Sequence, residues 1–306
     1  MHDLVILGGG PAAVSAGIYA GRKRLNSMII ADSFGGQSVV SDKIENWIGV
    51  PSISGFELAK QMEDHLRSQE GIEILEGERA ELVEKTDGGF AVKTSGGKII
   101  GTKAVLVATG GRHRKLGIPG EDKFEGKGVV YCSTCDAPLF RNEEVVVVGG
   151  GNAGLEAAVD LIPFASKVIL AVRSERIKGD PQTLEAVKAS DKVEIRYNVT
   201  PKEILGDAFV SGMRYADTVT GEEKEVSAGG VFVEIGTVPN SDMVKGLVEL
   251  DERGEIKTDP RTGRSSVLGI WAAGDVTDAL YKQNNIAVGD GVRALLNAYE
   301  WLKNGK

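Results

Sequence analysis

Cys132 and Cys135 are the two cysteines of a 306-residue chain, and they stand in the run Cys132-Ser133-Thr134-Cys135-Asp136. A bridge over so short a span removes little chain entropy and cannot staple a fold of this size. Three readings of the pair can be weighed. Zinc needs two further ligands, but there is no other cysteine, and His2, His65 and His113, the three histidines, show no paired ligand spacing. Two inert thiols packed as small hydrophobes is the second reading. The third is a redox dithiol. Cys-x-x-Cys depresses the pKa of one thiol and lets the two close a small reducible ring, whose potential sets the direction of electron flow, ~30 mV corresponding to ~1.4 kcal/mol. Exchange also needs a group to manage the leaving thiolate. With no histidine near in sequence, Asp136 is the candidate, provided that burial lifts its pKa toward neutrality.

Two glycine motifs carry the other chemistry. Gly8-x-Gly10-x-x-Ala13 and Gly149-x-Gly151-x-x-Gly154 each follow four apolar residues, Leu4–Leu7 and Val145–Val148, and each opens a helical pattern. Such a turn supplies a sharp bend, close backbone approach and tight helix packing, and it leaves a helix N-terminus free to hold a pyrophosphate. Either motif could be an ordinary strand-to-helix turn. Its recurrence in the same context favours two dinucleotide sites. The offset between copies is 141 residues, from Gly8 to Gly149, so Asp32 falls opposite Arg173. An acid at that point accepts from a ribose hydroxyl, while a guanidinium suits a 2′-phosphate, with Arg176 and Lys178 close behind. The first site therefore wants a plain adenosine ribose and the second leans to NADP; the alternative is that Arg173 merely faces solvent.

Positioning these groups requires a doubly wound α/β architecture, two Rossmann-like dinucleotide-binding domains with the second inserted in the first. Small residues line one face of each helix, Ala13/Ala16/Ala20 and Ala153/Ala157/Ala158, and strands resume at Ser27–Ala31 and, after Pro163, at 167–172. Residues 77–94 and 98–102 read as an antiparallel meander, and Ala104-Val105-Leu106-Val107-Ala108-Thr109-Gly110 as a separate buried strand. Further strands are expected at Val231–Ile235 and from Ile270, before the turn at Gly274-Asp275, with a final amphipathic helix over 290–303. X-Pro steps at Ile118-Pro119 and Val238-Pro239 mark hinges. The boundaries expected are 1–114 and 241–306 for the outer domain and 115–240 for the insert. The basic tether Arg112-His113-Arg114-Lys115 reads as a solvated linker, whereas Lys127 and Phe140 are the expected partner contacts.

Composition bounds the function. Lys and Arg number 36 against 44 Asp and Glu, a net charge of −8, so no nucleic-acid footprint is expected. The 41 glycines are about 13% of the chain against roughly 7% ordinarily, an excess that is positional, because 42% of residues are hydrophobic. No apolar run reaches the ~20 residues of a bilayer crossing. Met1-His2-Asp3 leads directly into the first strand with no signal segment, so a cytoplasmic protein is expected.

Taken together the motifs resemble the low-molecular-weight thioredoxin reductases and the flavoprotein portion of alkyl hydroperoxide reductase, the pyridine nucleotide-disulfide oxidoreductase type. The resemblance covers essentially the whole chain. Besides the dithiol and the glycine turns it rests on Gly35-Gly36-Gln37, Ile44-Glu45-Asn46-Trp47, Ala108-Thr109-Gly110, Ala272-Ala273-Gly274-Asp275 and Tyr281-Lys282-Gln283, all in family order. It implies FAD on the outer domain. Gly8, Gly10, Pro11 and Ala13 would lie at the pyrophosphate, Asp32 near the adenosine ribose, Gly36, Gln37 and Asn46 beside the flavin, and Ala108, Thr109 and Gly110 at the same site. Gly274 and Asp275 would lie near the ribityl-pyrophosphate portion, and Gln283 with Asn284 at the isoalloxazine. It implies NAD(P) at Gly149, Gly151, Asn152, Gly154, Arg173 and Lys178, and no metal. Cys135 would exchange electrons with the flavin, Cys132 would attack the partner, and Asp136 would carry the proton. It further implies a homodimer, a thioredoxin-like protein substrate and rotation of the inserted domain.

Three departures from the family pattern qualify this. Thioredoxin reductases commonly end the second glycine motif in Ala and carry a His-Arg-Arg run followed by Arg; this chain has Gly154, Val172-Arg173-Ser174 and Lys178. Gly154 thus points to NADH and Arg173 to NADPH. A ferredoxin-type or other flavin donor with a non-functional nicotinamide site is the alternative. The peroxide-reductase flavoproteins carry an extra N-terminal thioredoxin-like domain, which is expected here as a separate protein, so a reductase serving a peroxiredoxin system is also open. The segment from Cys132 to Phe140 lies between the two family versions.

Overall fold

The computed structural model describes residues 1–41 and 43–304, and the chain divides into two compact units, 1–112 with 238–306 and 113–237. In the first, β1 (His2–Leu7), α1 (Pro11–Arg22) and β2 (Ser27–Ala31) are followed by α2 (Gly55–Arg67) and β3 (Ile72–Glu76). A meander of β4 (Ala80–Thr86), β5 (Gly89–Thr94) and β6 (Ile99–Val107) precedes the short β7 (Gly111–His113). The second unit contains β8 (Val129–Val130), α3 (Ser133–Asp136), β9 (Glu144–Val148), α4 (Asn152–Leu161), β10 (Lys167–Ala171), α5 (Pro181–Ala189) and β11 (Val193–Arg196). It continues with β12 (Val199–Gly206), β13 (Val210–Asp217), β14 (Glu223–Ser227) and β15 (Gly230–Val233). The chain returns through β16 (Thr237–Pro239) to β17 (Ile270–Ala272) and α6 (Asn284–Asn304).

The first sheet runs β3-β2-β1-β6-β5-β4, with β17 also on β6. Its central parallel strands are apolar over Leu4–Leu7, Met28–Ala31 and Val105–Val107, where both faces are covered, whereas the edge strand β3 carries exposed Glu73 and Glu76. Leu4, Val5, Ile6 and Leu7 are fully buried, as are Val145, Val146 and Val147 of β9 in the second sheet, ordered β11-β10-β9-β15-β8. The repeat thus builds the same unit twice, β1–α1–β2 and β9–α4–β10, each with parallel neighbours in register. Strands β12, β13 and β14 form a separate antiparallel sheet.

Several expectations are corrected. The strand from Ala104 is not separate from the meander: β6 is one strand whose Ile99–Thr102 half pairs antiparallel with β5 and whose Val105–Val107 part pairs parallel with β17. The final helix begins at Asn284, not Asp290, because Asn284 and Asn285 bond to Ser38 and to the carbonyl of Asn46 and so fix its first turn. The second crossing falls at 237/238 rather than 240/241. Asn240 explains this: its N–H donates to the Gly110 carbonyl at 2.9 Å, its side-chain amide donates to the Thr109 carbonyl at 3.0 Å, and its Oδ1 accepts from Arg112 at 2.8 Å. Residues 238–240 are thereby tied to the outer unit. The first crossing likewise falls at 112/113.

Helices α1 and α6 meet through small residues. A methyl group on Gly291 would stand 2.1 Å from the Ala12 carbonyl oxygen, and Ser15 donates to the Val288 carbonyl across the same seam. That close approach carries the N-terminal turn of α6 to the glycine turn of α1.

Candidate active site

In the outer unit a cleft of about 730 Å³ lies over the first glycine turn. Gly8 has φ +117° and a Cβ there would fall 2.3 Å from the Ala108 carbonyl oxygen, so a side chain is excluded both by conformation and by the neighbouring strand end. At Gly10, by contrast, a Cβ would meet nothing closer than 3.9 Å; the missing side chain leaves room on the cleft side. Helix α1 has no side-chain cap, unlike α2, where Ser54 and Glu57 form a capping box. Its first amides are therefore available to an anion. These features fit a dinucleotide pyrophosphate.

Of the residues expected at this site, Gly8, Gly10, Pro11, Asp32, Gly36, Gln37, Ala108, Thr109, Gly110, Gly274, Asp275 and Asn284 line the cleft. Ala13 is fully buried beneath the turn, where it packs rather than lines. Asn46 and Gln283 are also outside the lining; they bond to each other at 3.3 Å. Asp275 is half-buried, and burial raises its pKa while Lys282 opposes the shift. Arg79 and Met243 line the cleft without having been expected there. Nothing in their local sequence marks them, because the segments that bring them in, just before β4 and just after β16, are far apart in the chain.

In the second unit α4 is again uncapped by any side chain, and a Cβ on Gly151 would meet nothing within 4 Å. Gly154 is needed for packing: a Cβ there would stand 2.3 Å from the Gly149 carbonyl oxygen. Asn152 turns its Oδ1 to the Asp180 N–H at 2.8 Å, and the Lys178 N–H donates to the Gly150 carbonyl at 3.0 Å, so the loop 178–180 is folded back onto the glycine turn. Arg173 follows buried Val172 and is exposed, with no side-chain hydrogen bond or ion pair among the described residues.

Cys132 and Cys135 are joined as a disulfide with their Cα atoms 5.3 Å apart, which removes both the free-thiol and the zinc readings for this state. The bond joins the N-cap of α3 to its third residue, and the Asp136 N–H donates to the Cys132 carbonyl at 3.0 Å. Asp136 is half-buried, and that burial raises its carboxyl to about 7. Ser133 donates to Asp160 of α4 at 2.9 Å, pinning the turn from the side. The segment after it is held by Phe140, which is buried edge-on against Phe232 with ring centres 4.9 Å apart. Gly230 makes this possible, since a Cβ there would lie 2.2 Å from the Phe140 ring. A redox-active pair with an acid that titrates near neutrality is equipped for dithiol–disulfide exchange.

The pattern of the pyridine nucleotide-disulphide oxidoreductase family matches residues 2–291. The chain belongs to this family. In Staphylococcus epidermidis, one component of alkyl hydroperoxide reductase is 42% identical over 301 residues, which are 98% of this chain and 59% of that protein. The chain thus spans well under two thirds of that relative's length. Among solved structures, thioredoxin reductase from Streptococcus pyogenes MGAS5005 is 36% identical with a TM-score of 0.93, each chain covered to 99%. Thioredoxin reductase from Giardia duodenalis is 31% identical with a TM-score of 0.91 and the same coverage. Both halves of the resemblance read from the motifs are found.

In this oxidoreductase the surface beside the disulfide differs from expectation. Phe140 belongs to the core, and the exposed apolar side chain there is Leu139, 43% exposed, because the turn after Pro138 rotates Phe140 inward. Lys127 is exposed as expected. Nor is the tether simply solvated. His113 stacks on Tyr131 with ring centres 5.1 Å apart, and Lys115 bonds Asp122 and Glu125 at 2.7 and 2.6 Å. Two carboxyls are not marked as functional by the sequence. Glu121 is buried and accepts from the Leu116 and Gly117 amides and from the Tyr131 hydroxyl. Glu234 is half-buried beside the disulfide turn; its one signal is an acid in an apolar run at the C-terminal end of a parallel strand, where α/β sites gather.

Proposed function

We propose that the protein is an FAD-dependent disulfide reductase that carries electrons from NAD(P)H through the Cys132–Cys135 pair to a thioredoxin-like protein. The observation that carries this reading is the disulfide with the half-buried Asp136 carboxyl, at about 7, on the same turn. FAD, when bound in the cleft over Gly10 and the α1 N-terminus, supplies the two-electron carrier between nicotinamide and disulfide. From the reduced state the chain's own groups complete the transfer. Cys132 attacks the partner disulfide to form a mixed disulfide and releases one partner thiolate, which takes the Asp136 proton. Cys135 then displaces the second partner sulfur and restores the Cys132–Cys135 bond, leaving the partner as a dithiol. Asp136 regains its proton from the cysteine thiols as they ionise.

For the donor, NADPH is the better reading. Gly154 has a packing reason that holds whichever nucleotide binds, whereas Arg173 is an exposed guanidinium two residues beyond the buried end of β10. A cytoplasmic homodimer belongs to the same proposal, as the resemblance read from the motifs implies. A second reading of the partner, a thioredoxin-like module serving a peroxiredoxin, is favoured by the 42% identity to a peroxide-reductase component longer than this chain. The test is anaerobic mixing of the oxidised holoprotein with NADPH or NADH, followed by flavin absorbance and by thiols released on a thioredoxin. Fast bleaching with stoichiometric dithiol formation supports the proposal; bleaching by neither nucleotide moves the donor to a ferredoxin-type protein and sinks it.

A further inference from the structure

The two residues between the cysteines both carry hydroxyls, and both hydroxyls reach one oxygen. Ser133 Oγ donates to Asp160 Oδ2 at 2.9 Å, and Thr134 Oγ1 donates to the same Oδ2 at 3.4 Å. Asp160 is the penultimate residue of α4, whose Leu155, Ala157, Ala158 and Leu161 are fully buried in the core of the second unit, so its carboxyl has a fixed base. The ends of the turn are held separately. Val129 and Val130 pair with β15 before it, and Ala137 is buried in the same core after it. Cys132 is the N-cap of α3 and Cys135 its third residue, three apart and so on one face. Ser133 and Thr134, at the first and second positions, lie on another, and their bonds to Asp160 make that the face toward α4.

We propose that Asp160 is a positioning residue for the dithiol: by holding the Ser133 and Thr134 hydroxyls it keeps the reduced Cys132–Cys135 turn in the shape that recloses as a disulfide. The inference rests on reading that pair as the working disulfide. In the oxidised state the S–S bond itself holds the turn, with the two Cα atoms 5.3 Å apart. Reduction removes that cross-link. A helix of four residues is far shorter than one that stands unaided in water, so side-chain anchors decide how much freedom the reduced turn gains. The two hydroxyl bonds are such anchors, and they act at the middle of the turn, where neither β8 nor Ala137 reaches. Groups already held in their reacting geometry combine faster than groups that must first be brought together. Asp160 therefore favours the oxidised pair at equilibrium and speeds the attack of Cys135 on the Cys132 sulfur. The first attack by Cys132 on a partner closes no ring and is left unchanged.

Asp160→Ala removes the acceptor, Asp160→Asn keeps one, and the double variant Ser133→Ala/Thr134→Val removes both donors. The holoprotein is equilibrated anaerobically with dithiothreitol and its cysteine thiols are counted by alkylation, with flavin absorbance followed so that electrons on the flavin are counted apart. Its reduced form is then mixed with a small aromatic disulfide. Cys132 thiolate attacks that disulfide and releases one aromatic thiolate; Cys135 thiolate attacks the Cys132 sulfur of the mixed disulfide and releases the second. In Asp160→Ala the second release should be about fivefold slower, the size of one ordinary hydrogen bond, with the first unchanged, and the equilibrium should move toward the dithiol by the same factor. Asp160→Asn should restore both. The double variant should match Asp160→Ala, and adding Asp160→Ala to it should change nothing further, because the effect runs through the hydroxyls. An alanine variant with an unchanged second release and equilibrium overturns the proposal, as do effects that add, or an asparagine variant as slow as alanine. If alanine fails to fold, the double variant and asparagine decide by the same readings. None of these assays uses a nucleotide or a thioredoxin, so failure of the proposed function is measured separately.

Discussion

A carboxyl that titrates near pH 7 can give and take a proton at that pH, and Asp136 does so because it is half-buried, with no cation among the causes of its shift. An unfolded aspartate titrates at about 3.9. Between roughly pH 4 and 7 the folded chain therefore holds a proton that the unfolded chain has lost, and stability falls as pH rises through that window. Asp136→Asn removes this slope. Melting of the unit that carries it should be equal in the two proteins at pH 4 and higher in the asparagine variant at pH 8. The same substitution should slow exchange on the order of 100-fold at pH 7, within the range typical of a lost general acid, while FAD content stays the same. Loss of FAD would show that Asp136 is structural. For Arg173→Ala, KM for NADPH should rise roughly tenfold or more while that for NADH is unchanged, the size of a charge-assisted bond to phosphate. An equal change for both nucleotides would make Arg173 a nonspecific contact. The positions of these two residues could be read from the sequence, Asp136 from its place beside the cysteine pair and Arg173 from the offset between the two glycine motifs. That of Glu121 could not, because its partners at Leu116, Gly117 and Tyr131 are brought to it only by folding.

Elements repeat this contrast. The two β–α–β units could be read because a buried parallel strand, a glycine turn and a helix with a small-residue face are all encoded within about 25 residues of contiguous sequence. The division of β6 between β5 and β17 could not, since β17 arrives from position 270, and the early start of α6 depends on Ser38 and Asn46. The glycine turns make a prediction of their own. In the first turn the third position is Ala13, fully buried, and in the second it is Gly154, pressed against the Gly149 carbonyl. Because backbone, not a flexible side chain, would meet the new methyl group, Gly154→Ala should cost about 1–3 kcal/mol in the unit that contains it, the usual range for overpacking. Denaturant unfolding of the purified variant measures this. A neutral result would mean that the second turn relaxes as the first has done, and Gly154 would regain its value as a sign of nucleotide choice.

At the scale of the whole molecule each unit has its own core. One set of apolar side chains surrounds α1 and α6, including Ala16, Trp271 and Leu295, and another lies on the far face of the same sheet, including Val5 and Ile270. The second unit packs Phe124 and Val231 on one face of its sheet and Leu155 and Phe232 on the other. A unit with a complete core can unfold on its own, so calorimetry of the holoprotein should show two transitions. The cleft over Gly10 is lined from the outer unit alone, by residues 8–112 together with 240–287. A ligand stabilises only the state that binds it, by about 2.7 kcal/mol when its free concentration is 100 times Kd. Removal of FAD should therefore lower one transition and leave the other in place, and Gly154→Ala should lower the one that FAD does not touch. A single transition that shifts as a whole in both experiments would show that the two units unfold as one, and the stability of the dithiol turn would then depend on the flavin even though no residue of that turn lines its cleft.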